Sequence, residues 1–271
     1  MNFLTIEEQL LFSTLRIESL DSLNQTVSIG TGFLINKIIH DNFYKTYLVS
    51  NKHVLFTTDA FKLTFTKYKE DLSGPDVGNT FTIPITKTND NTFTHKDSEI
   101  DIAVMDITGL FNMLPNMLFY KGIDYNMLAT FDEEELNVAQ NVMFIGYPDN
   151  RYDVKNNMPI IRTGLIASHP KYDYNDSKMF IIDGQVFPGS SGSPVIINLT
   201  VESWKTGSIT IGENKIRLLG VVAATMIRNN KLEVLNTSSL PNILSQEVIG
   251  LGIVYKSTAL KEIIDSIPIL G

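Results

Sequence analysis

The chain has 271 residues, 43% of them hydrophobic, with 22 Lys and Arg residues against 30 Asp and Glu residues. This size and apolar content suffice for one large or two modest domains, while the net charge of −8 without a Lys/Arg cluster disfavours nucleic-acid binding. The absence of cysteine excludes a disulfide framework, and the four histidines lie too far apart in sequence to suggest a metal site, so neither a metal nor a cofactor is expected.

The N-terminal segment resembles neither a signal peptide nor a membrane anchor. No basic stretch leads into an apolar one, and no apolar run in the chain is long enough to span a bilayer. Thr5-Ile6-Glu7-Glu8 matches a capping box and predicts a short helix, followed by a strand near residues 11–17. With the lack of cysteine, this predicts a cytoplasmic protein without a membrane partner, unless the natural protein carries a leader that this sequence lacks.

Short β-rich runs follow in both halves of the chain. They occupy residues 26–37, 44–50, 61–66, 80–85 and 102–107, and then 142–146, 160–167, 179–182, 192–197, 216–225 and 250–255. Many short strands without alternating long helices favour an all-β barrel or sandwich over an α/β fold. Between the two sets, the acidic run Asp132-Glu133-Glu134-Glu135 is typical of a solvated face.

The C-terminal segment has helical periodicity. Leu260, Ile263, Ile264 and Ile267 recur at i, i+3, i+4 and i+7, which places them on one apolar face. The pattern predicts a helix over residues 258–268. No internal repeat interrupts the chain.

The most informative stretch is Phe187-Pro188-Gly189-Ser190-Ser191-Gly192-Ser193-Pro194. It reads as a serine on a glycine-framed turn, although alone it is equally typical of an ordinary turn between strands. A serine hydroxyl needs a nearby base to act as a nucleophile, and the oxyanion that it forms needs hydrogen-bond donors. The backbone N–H groups of Gly189 and Ser191 are candidates for those donors.

A histidine and an acid precede this serine. Residues 47–55 are predicted as an apolar strand that ends in a histidine, His53, and residues 99–106 as an apolar strand that opens with an acid, with Asp101 near its start. The order along the chain is therefore His, Asp, Ser. Glu99 and Asp106 compete with Asp101 for the role of the acid. The order suits a site built between two halves of a fold.

The chain resembles the chymotrypsin-like (trypsin-like) serine peptidases. In motif style it is similar to the HtrA/Deg branch and to small intracellular trypsin-like peptidases of bacteria. The matching pieces cover roughly residues 11 to 268 in the family's order; they are Gly30-Thr31-Gly32-Phe33-Leu34-Ile35, Val49-Ser50-Asn51-Lys52-His53-Val54, Asp101-Ile102-Ala103-Val104, Phe144-Ile145-Gly146-Tyr147-Pro148, Thr163-Gly164-Leu165-Ile166, residues 183–194, Gly220-Val221-Val222-Ala223-Ala224 and Gly250-Leu251-Gly252-Ile253-Val254.

The resemblance implies a fold of two six-stranded antiparallel barrels with a short N-terminal helix and a C-terminal helix. Residues 1–271 would form a single peptidase domain. Its first barrel would span about 11–110, an interbarrel connector 111–141, the second barrel 142–257 and the helix 258–268. Too few residues remain after the helix for the PDZ domain that many HtrA proteins carry.

The resemblance also implies roles for the site residues. Ser191 would be the nucleophile, His53 the general base and then the general acid, and Asp101 the group that orients the imidazole. The family motif places its acid directly before Ile-Ala, which selects Asp101. Backbone N–H groups of Gly189 and Ser191 would form the oxyanion hole, with Ser190 helping to set the turn.

Two residues of the turn depart from the family pattern. Ser190 stands where zymogen-type trypsins have an aspartate, so activation by N-terminal cleavage is not expected. Ser193 stands where a second glycine is usual, and its side chain fits unless the backbone there needs a positive φ.

Substrate-binding residues also follow from the resemblance. Gln185 would lie at the base of the S1 pocket, Ala223-Ala224-Thr225 would form one wall and pair with the substrate as an added strand, and Gly250 and Gly252 would line the other wall. Because no carboxylate lies at the base, a neutral P1 residue is expected rather than Arg or Lys.

The leading hypothesis is an intracellular bacterial serine endopeptidase that acts through an acyl-enzyme on restricted protein or peptide substrates. One source of restriction is a site that becomes ordered only when substrate or an activating partner binds. Two alternatives remain open: a catalytically latent or non-catalytic peptide-binding module on a protease fold, and a hydrolase of small esters.

Overall fold

The computed structural model describes residues 5–40, 43–199, 202–205, 208–211, 215–232 and 243–268. For residues 202–205, 208–211, 224–225, 227–232 and 243–248 it describes the backbone alone. The predicted all-β class is confirmed: most described residues lie in strands, with short helices at both ends. No helix in these ranges is long and apolar enough to cross a membrane.

Short strands predominate and long helices do not alternate with them, as the sequence predicts. The first half contains α1 (Ile6–Ser13), β1 (Thr14–Leu20), β2 (Thr26–His40), β3 (Phe43–Ser50), α2 (Lys52–Leu55), β4 (Ala60–Tyr68), β5 (Pro75–Thr86), β6 (Thr92–Thr94), β7 (Ala103–Asp106), α3 (Thr108–Met113), β8 (Leu118–Phe119) and β9 (Ile123–Asp124). The second contains β10 (Asn141–Gly146), β11 (Ile160–Ile166), β12 (Met179–Asp183), β13 (Pro194–Asn198), β14 (Glu202–Lys205), β15 (Ser208–Ile211), β16 (Ile216–Leu232), β17 (Ile243–Lys256) and α4 (Ser257–Ser266).

The second half forms the closed barrel that was expected. Its antiparallel order is β10-β11-β12-β17-β16-β13, and β14 and β15 form a separate hairpin. Strands β16 and β17 are longer than the sequence predicts and continue beyond the barrel as a two-stranded ribbon. The predicted C-terminal helix is α4, and its apolar face is buried.

The first half differs from a six-stranded barrel in its closure. Its strands lie in the order β5-β4-β1-β2-β3-β7-β6, with β8 added to β4 and β9 added to β2, and the described ladder ends at β5 and β6. Strand β6 has only three residues, so it offers few hydrogen bonds for closing the sheet on β5.

Two local predictions change at the functional residues. His53 lies not at the end of a strand but in α2, the single turn that follows β3. Asp101 lies before β7 rather than on it, because the side chain of Asn51 binds the backbone carbonyl of Asp101 at 2.6 Å. Both residues are therefore held at the ends of neighbouring strands.

The acidic run is only partly a solvated face. Asp132 and Glu134 are exposed, but Glu133 is buried, accepts a hydrogen bond from the Thr130 N–H at 3.1 Å and lies 3.5 Å from the Arg217 guanidinium. Glu135 pairs with Lys215 at 2.7 Å. The run therefore fastens the connector to β16 and its preceding residue, which a count of charges does not predict.

The core passes continuously from one half to the other. One buried cluster contains residues from both halves, including Phe33 and Val49 of the first sheet, Ile145 and Ile196 of the barrel, and Leu260 of α4. Each half also has its own cluster. Close apolar packing of this kind fixes the two halves against each other.

Candidate active site

His53 and Asp101 contact each other through the side chain and the backbone. His53 Nδ1 lies 2.5 Å from Asp101 Oδ2, and the His53 N–H donates to Asp101 Oδ1 at 3.0 Å. Both carboxylate oxygens are therefore used to orient one residue. With Nδ1 turned to the acid, Nε2 is the ring nitrogen left to accept a proton. The imidazole is half exposed, which leaves room for a ligand beside it.

The segment that carries Asp101 is held from both halves of the fold. Asn51 binds it from the start of α2, and the hydroxyl of Tyr255 on β17 donates to the Glu99 carbonyl at 2.8 Å. Burial raises the pKa of Tyr255, so this hydroxyl stays a donor at neutral pH. The competing acids lie elsewhere: Glu99 is exposed, and Asp106 pairs with Lys45 at 3.1 Å.

The turn around Ser191 presents two N–H groups to which no described residue offers an acceptor. Gly189 and Gly192 have φ of +86° and +89°, which is the left-handed region that favours glycine. The N–H of Ser190 binds the Phe187 carbonyl, and that of Gly192 binds the Val222 carbonyl. The N–H groups of Gly189 and Ser191 have no acceptor among the described residues. They are therefore available to a negatively charged oxygen.

Thr31 fixes this turn to the first half of the fold. Its hydroxyl donates to the Gly189 carbonyl at 2.7 Å and accepts from the Tyr147 N–H at 3.1 Å. Its own N–H donates to the Ser191 carbonyl at 3.0 Å. The Gly30-Thr31-Gly32 motif is part of the resemblance and was the sequence signal for this contact, but no role for Thr31 was predicted from it.

The remaining turn serines fit without strain. Ser193 does not have a positive φ, so its side chain is tolerated where the family has glycine. The hydroxyls of Ser190 and Ser193 are both buried, and neither has a hydrogen-bond partner among the described residues. The Ser193 hydroxyl packs against Gly146, where an added Cβ would lie 2.2 Å from it.

The hydroxyl of Ser191 binds the strand β16 and not the imidazole. It donates to the Ala223 carbonyl at 3.0 Å, and within the described ranges it forms no hydrogen bond with His53. The three predicted catalytic residues lie at one edge between the halves. Gly192, which follows Ser191, is so close to Ser50 that an added Cβ on it would lie 2.4 Å from the Ser50 hydroxyl, and Ser50 is three residues before His53.

The predicted substrate-binding residues lie on β16, on β17 and in the segment between β12 and the serine turn. Gln185 is exposed, and the neighbouring Gly184 N–H binds the Gly250 carbonyl at 2.8 Å. Gly252 faces Val186: a Cβ added to Gly252 would lie 2.5 Å from the Val186 side chain. Ala223 is buried on β16. The side chains of Ala224 and Thr225 lie outside the described residues, while their backbones pair with Ile253 and Gly252.

Comparison with known proteins gives a family match over more than half of the chain. A family model described as a trypsin-like peptidase domain matches residues 30–200. The chain is similar to the active form of the protease Rv3671c from M. tuberculosis, with 18% identity, 96% of this chain and 83% of that chain covered, and a TM-score of 0.48. An inactive mutant form of Rv3671c is also similar: the identity is 18%, 95% of this chain and 89% of that chain are covered, and the TM-score is 0.46. No curated protein matches the chain.

Proposed function

Because the chain belongs to the trypsin-like peptidase family, we propose that it is a serine endopeptidase that hydrolyses peptide bonds through an acyl-enzyme. The observation that carries the proposal is the contact of both Asp101 oxygens with His53, beside a serine turn in which two N–H groups have no acceptor within the described part of the chain. These are the parts that acyl transfer needs: a base, a group that orients it, a nucleophile and an oxyanion site.

In the proposed reaction the Ser191 hydroxyl attacks the carbonyl carbon of the scissile bond while His53 Nε2 takes its proton. Asp101 stabilises the imidazolium that forms. The N–H groups of Gly189 and Ser191 bind the oxyanion; losing one such donor typically lowers turnover by about 10²–10³. The imidazolium then protonates the leaving amine, and water attacks the acyl-enzyme with His53 again acting as base.

The backbone of residues 223–225 supplies a strand on which the acyl part of a peptide is proposed to pair. This favours peptides over small esters. The absence of a carboxylate at Gln185 supports a neutral P1 residue in this proposal. A peptide library varied at P1 tests it, and a strong preference for Arg or Lys would contradict it.

A second candidate is a latent enzyme or a non-catalytic peptide-binding module. The observation that favours it is the Ser191 hydroxyl, which binds Ala223 rather than His53. In a latent enzyme this hydroxyl turns to the imidazole only when a substrate or a partner binds, whereas in a binding module it never does.

The test is covalent labelling by a fluorophosphonate, read by intact mass. Wild type is expected to gain one label at Ser191, and His53→Ala and Ser191→Ala are expected to gain none. His169→Ala serves as a matched control, because His169 is exposed and outside the site. A folded wild type that stays unlabelled would contradict an assembled nucleophile; labelling only in the presence of peptide would support the latent form.

A further inference from the structure

Arg162, on β11, carries a charge that no described residue pairs with. Its guanidinium carbon lies 5.1 Å from the ring centre of Phe144 and 5.0 Å from that of Phe187. It forms neither an ion pair nor a hydrogen bond with any residue in the described ranges, and its Nη1 is buried. Burial lowers the pKa of the guanidinium below its usual range.

The other arginines whose side chains are described differ in this respect. Arg16 binds Glu18 and Asn150, Arg151 pairs with Asp149, and Arg217 lies beside Glu133. A partly buried guanidinium without a counter-charge among the described residues is unfavourable, and stacking on two rings offsets only part of that cost. The position therefore suits an anion that arrives from outside.

Arg162 also lines a cavity of about 340 Å³ with a mostly apolar lining. Its walls are Pro148, Asp149, Arg151, Ile160 and Phe187. Asp149 and Arg151 lie 3.5 Å apart and are both largely exposed, so their charges offset each other. The Arg162 charge remains, in a chain whose net charge is −8. The cavity therefore has the opposite sign to the protein as a whole.

The cavity adjoins the proposed oxyanion site. Asp149 donates its N–H to the Pro188 carbonyl at 2.7 Å, and the Tyr147 carbonyl lies 2.4 Å from where a Cβ on Gly189 would stand. On its other side the same turn is bound to β16, through the Ser191–Ala223 and Gly192–Val222 hydrogen bonds. Since the acyl part of a peptide is proposed to pair with β16, the cavity lies on the leaving-group side.

We propose that this cavity is a specificity subsite for the residues that follow the scissile bond, and that Arg162 binds a carboxylate of the substrate there. The inference rests on the proposed peptidase function. A planar guanidinium with free N–H groups matches a carboxylate in a two-point hydrogen bond. The carboxylate belongs either to an Asp or Glu side chain or to the C-terminus of a short leaving peptide.

The experiment digests a peptide library with wild type, Arg162→Gln and Lys171→Gln, and locates the cleavage sites by mass spectrometry. Wild type is expected to enrich Asp and Glu at one of the first three positions after the cleavage site, by about tenfold for one charge-assisted hydrogen-bonded pair. Arg162→Gln is expected to lose the enrichment. Lys171→Gln removes the same charge from an exposed position and is expected to keep it.

A binding assay makes the result independent of turnover. Ser191→Ala is titrated with two kinds of peptide pair. In the first, the peptides carry Glu or Gln at the enriched position or, if nothing is cleaved, at each position in turn. In the second, the peptides end in a free acid or in an amide. Tighter binding of Glu locates a side-chain carboxylate, and tighter binding of the free acid locates a C-terminal one. If neither carboxylate strengthens binding, or if Arg162→Gln leaves the preference unchanged, the proposed subsite is contradicted. A wild type that cleaves nothing, with the carboxylate preference intact, overturns the peptidase proposal alone.

Stability provides a further check. Because no described residue pairs with Arg162, Arg162→Met is expected to leave the Tm unchanged or to raise it, since an apolar side chain between Phe144 and Phe187 has no charge to desolvate. A fall in Tm of several degrees would show instead that the guanidinium stabilises the fold, and would overturn its assignment as a ligand-binding group.

Discussion

The hydroxyl of Ser191 donates to the carbonyl oxygen of Ala223 at 3.0 Å. This oxygen lies on the strand along which we propose that the substrate pairs. A substrate N–H bound to the same oxygen would leave the hydroxyl to share that acceptor, and we expect the Ser191 hydroxyl to bind His53 Nε2 instead. Peptide binding would thus turn the nucleophile towards its base, which connects the latent and the active forms of the proposed enzyme.

The first prediction concerns the P1 amide of the substrate. N-methylation of this amide removes the N–H that would bind Ala223, and we expect kcat/KM to fall by at least about tenfold, the value of one hydrogen bond of ordinary strength. Methylation at P2 is the control, because alternate residues of a paired strand point their N–H groups away from the partner. Equal losses at both positions would mean that the substrate does not pair with β16.

A second prediction concerns Thr31. Thr31→Val removes the hydroxyl that binds Gly189 and Tyr147, leaving a buried carbonyl and N–H without partners at a cost of about 1–3 kcal/mol. We expect slower fluorophosphonate labelling and a lower Tm.

Thr31→Ser keeps the hydroxyl and is expected to restore the labelling rate. Thr31 is a positioning residue in this prediction: loss of stability in Thr31→Val with no change in labelling rate would restrict it to a structural role.

The elements that the sequence predicts well are those set by local chemistry. The capping box at the start of α1 is present, with Glu8 N–H bound to the Thr5 hydroxyl at 3.2 Å and Thr5 N–H bound to Glu8 at 2.8 Å. The apolar stripe of α4 is buried as its periodicity predicts. Both depend on residues within two turns of each other, so no tertiary information is needed.

What the sequence could not predict depends on contacts between distant segments. The role of Thr31 arises from bonds to residues 116 and 158 positions away. Arg162 is distinctive only because it lies against two aromatic rings, has a buried Nη1 and, within the described part of the chain, lacks a partner. The direction of the Ser191 hydroxyl is likewise set by where β16 lies. No local pattern encodes these features.

A third prediction concerns the acid stability of the helix α4. Burial acts to raise the pKa of Asp265, but hydrogen bonds from Lys261, Lys37 and Tyr125 outweigh it and lower the pKa from 3.8 to about 2. Since the pKa is lower in the folded state, the ionised carboxylate stabilises the fold above pH 3.8, and this contribution is lost as the pH falls from 3.8 towards about 2.

Asp265→Asn is expected to lose this stabilisation at neutral pH and to show a flatter decline in acid. Because the side chain is 41% exposed, solvent screening keeps the effect below about 1 kcal/mol. Urea unfolding between pH 2 and pH 7 measures it. Asp59→Asn is the control, since its side chain is 96% exposed and lies 3.8 Å from its nearest cation. Parallel pH curves for wild type and Asp265→Asn would contradict the prediction.

The last prediction compares two glycines with similar backbones and different surroundings. Gly192 and Gly250 have φ of +89° and +81°, so alanine at either position costs about 1–2 kcal/mol in backbone strain. A Cβ at Gly192 would also lie 1.9 Å from the Thr31 carbonyl, whereas one at Gly250 would meet no atom within 4 Å. We therefore expect Gly192→Ala to destabilise the fold by at least about 1–3 kcal/mol more than Gly250→Ala, and to abolish labelling at Ser191. Denaturant unfolding of the two variants decides it: equal losses would mean that the nucleophile turn can move away from Thr31, and that this contact does not hold the site in place.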